Sequence, residues 1–338
     1  MSDAAERLGA RRGAAVDCGM RAFPWSDLLV PALVGGLAAL VAGLATAQAA
    51  SAPVGAAVAA GVWLAVLGWA VRRPLAVARA AAGELDAAQR RWLAEHVPVY
   101  QAATRGAAGL DAQRFEADVR WALGALRYEA ADGAEATPEL RLAVAAGAAT
   151  LVHGRPGWRL PTARTVLFVP AAFDEAYGDD EPPAFDGMVH SQGPVVFSAR
   201  AVARGWARTD GGNVVLHELA HLLDFEGDSD ADGIPSMLDP RSADAWDELV
   251  RREMRRAERG DGILRAYAAT NPAELFAVST EVFFERPAHL RAHHPELYAA
   301  LRAVYGYDPP DVRIGQRRGS MMARRWDMAG EGGTGERP

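Results

Sequence analysis

The sequence predicts an α+β fold, mostly helical with a small sheet, preceded by a pair of apolar helices. Three observations carry that reading. Leu28 to Ala47 and Val54 to Val71 are two uncharged apolar stretches unlike anything downstream. Apolar positions at spacings of three and four recur through most of the remaining chain. Two short β-branched runs, "RTVLFVP" (164–170) and "GPVVFSARAV" (193–202), interrupt that periodicity and are bounded by Pro and Gly.

A chain of 338 residues, half of them apolar, has room for one or two domains with a real core and is not a disordered polymer. The net charge of −7 argues against a nucleic-acid partner. No lysine occurs, so every basic side chain is arginine. Cys18 is the only cysteine, which excludes an intramolecular disulfide and a thiolate metal cluster and leaves the redox compartment open.

The N-terminal elements come first. A helix of about 20 residues reaches roughly 30 Å, one hydrocarbon core. The connector "QAASAP" is short and carries turn chemistry. Residues 28–71 therefore read as a transmembrane helical hairpin, and 1–27 as a cytoplasmic N-terminal segment. Arg7, Arg11, Arg12 and Arg21 precede the first span, while Arg72, Arg73 and Arg79 follow the second. By the arginine bias both ends, and the domain beyond, face the cytoplasm at a bacterial inner membrane. Trp63 and Trp69 are suited to an interface. Two rival readings share these residues. "ATAQA" resembles a signal-peptide cleavage site, although the preceding segment and the apolar run are both long for one. Alanine is also only weakly apolar, which leaves room for a buried soluble hairpin.

Residues 80–312 form the main domain. "GELDAAQRRWLAEHVPVY", "DAQRFEADVRWALGALRYEA" and "TPELRLAVAAGAATLVHG" read as amphipathic helices, the last with Thr137 as N-cap. The acidic, Pro-rich "DEAYGDDEPPAFDG" between the two β runs is a loop. Asp210, Gly211, Gly212 and Asn213 supply a turn and an N-cap for a further helix, and Gly227 a stop. "SADAWDELVRREMRRAERG", "NPAELFAVSTEVFFERP" and "PELYAALRAVYGYDP" are three later helices, with Pro272 at a tolerated first-turn position. Residues 313–338 are Gly- and Arg-rich and aperiodic, hence a disordered tail, whose "RRGSMMARRW" is a candidate contact with anionic lipid.

Chemistry enters at "NVVLHELAHLLDFEGD" (213–228), which places His217, Glu218 and His221 inside an apolar helix. Burying such groups is costly unless each has a partner. Residues four apart on a helix share a face, so both imidazoles can bind one zinc ion. Zinc lowers the pKa of bound water to about 7, and Glu218, not itself a ligand, can take its proton. A helix carrying HExxH after a strand is the arrangement of zincin-like metallopeptidases. Catalytic zinc needs a third protein ligand. Asp224, His293, His294, Glu274 and Glu281 are the candidates. Asp224 is close in sequence with a short side chain, which suits it better to orienting a ligand. His293 and His294 sit beside a proline, in a surface setting. Glu274 and Glu281 lie seven apart on one helix face, and a glutamate on a neighbouring helix is the usual third ligand.

"NVVLHELAHLLDFEGD…ADGIP" followed by "YAATNPAELFAVSTEVFFERP" resembles the Mlc titration factor A (MtfA) family of bacterial zinc peptidases, and the resemblance runs from about residue 84 to 310. It implies one zinc held by His217, His221 and Glu274, Glu218 as general base, and Tyr267 stabilising the oxyanion. Glu281, two turns along the same face from Glu274, becomes a carboxylate that supports a ligand from behind. The resemblance implies a zinc peptidase hydrolysing peptide or protein substrates, and the apolar hairpin, which it does not cover, makes the expected enzyme membrane-anchored. The alternative is a regulatory protein that sequesters a transcriptional repressor, as the family's titration factors do, with catalysis secondary or absent.

"GMVHSQG" (187–193) departs from the acidic and aromatic residues usual in that family, which puts substrate contacts in doubt. Zincin-like folds often bind peptide on the strand before the active helix, so Val195, Val196 and Phe197 are the candidate substrate-binding residues. His190 is a further candidate contact. Asp228, Asp230, Asp232 and Gly233 mimic the start of a calcium loop, but Asp239 stands where the bidentate glutamate belongs.

Overall fold

The structure, a computed structural model, describes residues 26–49, 51–160, 164–172, 186–189, 193–225 and 231–311. The expectations for the N-terminal arginines, Cys18, His190, Gly227, Asp228, Asp230 and the C-terminal tail concern residues outside the described ones.

Two long helices come first among the described residues. Helix α1 (Ser26–Ala49) and helix α2 (Ala52–Ala82) pack antiparallel through small residues. Gly35 lies against Val66, Gly43 against Ala59, and Gly55 against Ala47 and the Gly43 carbonyl. Their outer faces are apolar and exposed, with Leu33, Leu37, Leu44, Leu64 and Trp69 all open. Among the described residues one helix, Ala52–Ala82, is long and apolar enough to cross a membrane, and a shorter apolar stretch spans Ala32–Gln48. The second helix continues past the uncharged run, through Arg72 and Pro74, to Ala82.

Helices α3 (Ala87–His96), α4 (Pro98–Thr104), α5 (Ala112–Ala125) and α6 (Pro138–Val152) follow. Asp86, Asp111 and Thr137 cap α3, α5 and α6 through their side chains. Pro98 divides the first predicted helix in two, because its nitrogen carries no hydrogen to donate. Helix α6 is buried on nearly every side from Leu140 to Val152, not along a stripe, so its mostly apolar sequence marks a central core helix.

Among the described residues the sheet has four strands in the order β1-β2-β4-β3: β1 (Arg127–Ala130), β2 (Thr165–Val169), β3 (Gly187–Val189) and β4 (Val195–Ser198). The first three in that order run parallel, and β3 pairs antiparallel with β4 at the edge. The β run at 193–202 is shorter than the sequence suggests. Ser198 accepts the Ala201 N–H at 3.2 Å and starts helix α7 (Ala199–Ala207).

Helix α8 (Val214–Asp224) comes next, then α9 (Ala243–Glu258), a 3-10 turn (Ala266–Ala269), α10 (Pro272–Glu285), α11 (Pro287–His293) and α12 (Pro295–Tyr305). Phe115, Phe168, Phe197, Trp246, Phe276, Phe283 and Tyr305 fill the core. His294 is not a surface residue: it is buried, with Nδ1 2.6 Å from Glu253 Oε2 and Nε2 accepting the Ile263 N–H at 3.2 Å. That pairing pins the loop entering the 3-10 turn.

Candidate metal centre

The site forms where α8 meets α10. Asn213 Oδ1 accepts the N–H groups of Val215 and Leu216 and so starts α8. Its own N–H donates to Glu281 Oε2 at 2.5 Å, and its Nδ2 donates to Glu285 Oε1 at 3.3 Å. Asn271 caps α10 by accepting the Glu274 N–H at 2.9 Å. The first turn of α10 thus faces the histidines of α8. Against the other side of α8, Gly147 of α6 leaves no space: an added Cβ would lie 2.5 Å from Val215 Cγ1. Helix α8 is gripped from both flanks.

His217, His221 and Glu274 each offer a ligand atom, and these atoms lie within 4.8 Å of one another. His217 Nε2 is 3.1 Å from Glu274 Oε2, and His221 Nε2 is 3.7 Å from Glu274 Oε1. A tetrahedral zinc with bonds near 2.1 Å separates its ligand atoms by about 3.4 Å, between these two values. Glu274 Oε2 is buried without a hydrogen-bond donor, because no ring N–H of His217 is aligned with it. A buried carboxylate oxygen of that kind fits a cation better than a proton. Two imidazole nitrogens and one carboxylate oxygen also make the donor set of an open catalytic zinc site. The residues fit the metal.

The surrounding charges point the same way. His217 Nδ1 lies 2.8 Å from Glu281 Oε1, which orients the ring and leaves Nε2 free for a ligand role. Arg265 contacts the same oxygen. Burial alone would depress His217, but the Glu274 and Glu281 carboxylates beside its two ring nitrogens outweigh it and carry the group up to about 10. Burial and the neighbouring His217 charge pull His221 down to about 4. Burial pushes the Glu218 carboxyl up to about 7, with His217 opposing and Glu274 and Glu281 adding to the rise. Three carboxylates act on the His217 ring, so the pocket favours positive charge there.

Tyr267 is half-exposed on the 3-10 turn, its ring centroid 6.2 Å from that of His217. Burial, then the Glu274 charge, lift its phenol to about 12, so it remains a donor at neutral pH. Asp224 has another task than orienting a histidine. Its oxygens accept the Gly233 N–H at 2.8 and 3.0 Å, and neither imidazole is among its hydrogen-bond partners. It ties the following loop back to α8. Trp246 Nε1 holds the same Gly233 through its carbonyl at 2.7 Å. Gly233, at φ +80, packs against Pro272 at the start of α10, where a Cβ would lie 2.5 Å from the proline carbonyl carbon.

The expected substrate strand needs correcting. Val195, Val196 and Phe197 lie on β4, whose two edges are paired with β2 and β3, and Val195 and Phe197 are fully buried. No backbone edge there is free for a peptide. The outer strand is β3, which begins at Gly187, the last residue of the stretch that reads as a loop; the rest of that stretch up to 185 lies outside the described residues. An added Cβ on its Gly187 would lie 2.6 Å from Glu218 Oε1, so the strand passes directly over that carboxylate. Sequence reasoning missed Gly187, Arg265 and Glu285. Gly187 opens the noted "GMVHSQG" motif, but nothing local marks the other two.

Residues 69–306 match the family described as glucose-regulated metallo-peptidase M90. An uncharacterized protein of Synechocystis sp. is 29% identical over 212 residues, covering 58% of this chain and 77% of the relative. Mlc titration factor A of Edwardsiella ictaluri is 35% identical over 135 residues, 38% of this chain and 51% of that protein. Mlc titration factor A of Serratia proteamaculans is 33% identical over 164 residues, 43% of this chain and 60% of that protein. The chain therefore spans about half to three fifths of the titration factors it matches. With the HExxH helix and a facing glutamate in place, the chain belongs to the glucose-regulated metallopeptidase M90 family and is a relative of the Mlc titration factors A.

Proposed function

We propose that the chain is a membrane-anchored zinc peptidase whose domain faces the cytoplasm. The convergence of His217, His221 and Glu274 from two helices, with Glu218 beside them, carries the proposal. When bound, zinc would supply Lewis acidity toward the scissile carbonyl and toward water. The protein's residues do the rest. Glu218, whose burial raises its affinity for a proton, accepts one from the attacking water and passes it to the leaving amine. Tyr267 donates its phenol hydrogen to the carbonyl oxygen as negative charge develops there. Glu281, backed by Arg265, holds the His217 ring in one orientation and tautomer. An extended peptide pairs with the outer edge of β3, beside Glu218. The apolar faces of α1 and α2 take up the bilayer.

The test uses the full chain in detergent or vesicles, with its zinc content measured and a peptide library digested. Glu218→Gln is expected to keep zinc and to lose about 10²- to 10⁴-fold in turnover. An unchanged rate refutes the mechanism. A second reading is favoured by the relatives' name: a protein that titrates Mlc need not cleave it. Partner capture by the Glu218→Gln variant, without turnover by either form, supports that reading.

A further inference from the structure

We infer that the anchor and the peptidase domain form one rigid body. The metal site then cuts membrane-tethered polypeptides within a set distance of the bilayer, so its substrates are membrane-proximal segments. This rests on the membrane-anchored peptidase reading.

The uncharged run of α2 ends at Val71, where Arg72 stacks over Trp69 at 5.6 Å, an arrangement suited to a membrane interface. The helix does not end there. Arg72 to Ala82 add about 16 Å of helix at 1.5 Å per residue. This extension docks on α5. Gly124 of α5 has no room for a side chain, since a Cβ would lie 2.6 Å from Ala80 Cβ and 3.5 Å from Val77 Cα. Arg120 Nε donates at 2.9 Å to the Ala81 carbonyl, one of the oxygens a helix end leaves unpaired. No tether follows. Gly83 N–H bonds back to Ala80 and Arg79, Leu85 is buried in the core, and Asp86 caps α3.

From this mount the path to the metal site is packed throughout. Helix α5 packs on α6, and Gly147 of α6 touches Val215 and Leu219 of α8. Helix axes in contact lie about 8–10 Å apart, so three such steps place the active helix within roughly 30 Å of the anchor axis. A domain on a flexible linker would sample many heights. This one samples a single height.

The experiment uses the full chain in lipid vesicles. Lipid-tethered reporter peptides carry flexible spacers of increasing length, and a free peptide reports basal turnover. One variant inserts a ten-residue Gly-Ser linker between Arg72 and Arg73, leaving the docked segment on the domain. A second, Gly124→Leu, breaks the docking without added length. The wild type is expected to prefer one spacer length by about ten-fold over the extremes, since effective concentration depends on matched span. Both variants are expected to flatten that preference while cleaving the free peptide at the wild-type rate. Equal cleavage of all spacers by the wild type, or an unaltered preference in the linker variant, overturns the proposal. Failure to hydrolyse the free peptide overturns the peptidase reading instead. The mount is then read from spin labels at Ala60→Cys and Glu129→Cys in a Cys18→Ser background. A narrow distance distribution that broadens in the linker variant supports the mount, and a broad one in the wild type overturns it.

Discussion

The helical pair at the N-terminus and the α8–α10 junction both invert the usual pattern of a soluble protein, in opposite ways. Helices α1 and α2 expose leucines and tryptophans and join through glycines. The junction gathers two imidazoles with the carboxylates of Glu218, Glu274 and Glu281, the last two lying 3.1 and 2.8 Å from the ring nitrogens of His217. Each is unfavourable in water alone. On the proposed function, lipid covers the exposed apolar surface and a cation offsets the gathered carboxylates. On that reading both regions are complete only with a partner from outside the chain. The partner's chemistry can be read from what is on the wrong side of the surface.

Breaking the junction should have the largest effect. Glu274→Ala removes the candidate ligand that α10 contributes, and zinc content is expected to fall from about one per chain toward none, with turnover lost. Retention of stoichiometric zinc would show that another residue serves as third ligand. Breaking the other region comes next. Leu64→Arg places a charge near the middle of the second apolar run at a cost of about 3 kcal/mol, roughly 100-fold in insertion. The variant is expected to leave the vesicle fraction on flotation, whereas wild-type flotation at background level would argue against the bilayer.

A smaller change sharpens the comparison inside the junction. Arg265→Ala withdraws the cation from Glu281 while leaving every ligand in place. Zinc affinity in chelator competition is expected to weaken about 10- to 100-fold, with partial recovery in Arg265→Lys. An unaltered affinity would reduce Arg265 to a surface contact.

The smallest effect comes from a buried imidazole far from any metal. Burial, helped by the Arg114 charge, pulls His153 down from 6.5 to about 4. The unfolded chain therefore takes the proton first, and stability falls as pH drops from about 6.5 toward 4. The loss should amount to about 1–3 kcal/mol in metal-free protein. His153→Gln should flatten the decline in denaturation midpoint between pH 7 and 5. A slope identical to wild type would assign the acid sensitivity elsewhere.

Local patterns were legible without coordinates. The shared face of His217 and His221 follows from helix periodicity, the caps at Thr137 and Asn213 from their side-chain oxygens, and the lengths of the apolar runs from counting. The choice among carboxylates was not legible from spacing. Glu274 and Glu281 share a helix face and chemistry, and only a resemblance separated them. The short strand beginning at Gly187 was not legible for a related reason: three residues are too few positions to show alternation.

By itself the sequence determined which groups could act: an HExxH helix, a downstream glutamate pair, and apolar runs of membrane length. These depend on neighbours within one or two helical turns, where the backbone repeat sets direction. Tertiary packing alone decided that Glu281 backs His217, that Arg265 reaches Glu281, that β3 and not β4 is an edge strand among the described residues, and that the long helix α2 docks on α5. Those contacts join segments far apart in the chain, and close packing of the core, not any local repeat, sets the distances between them.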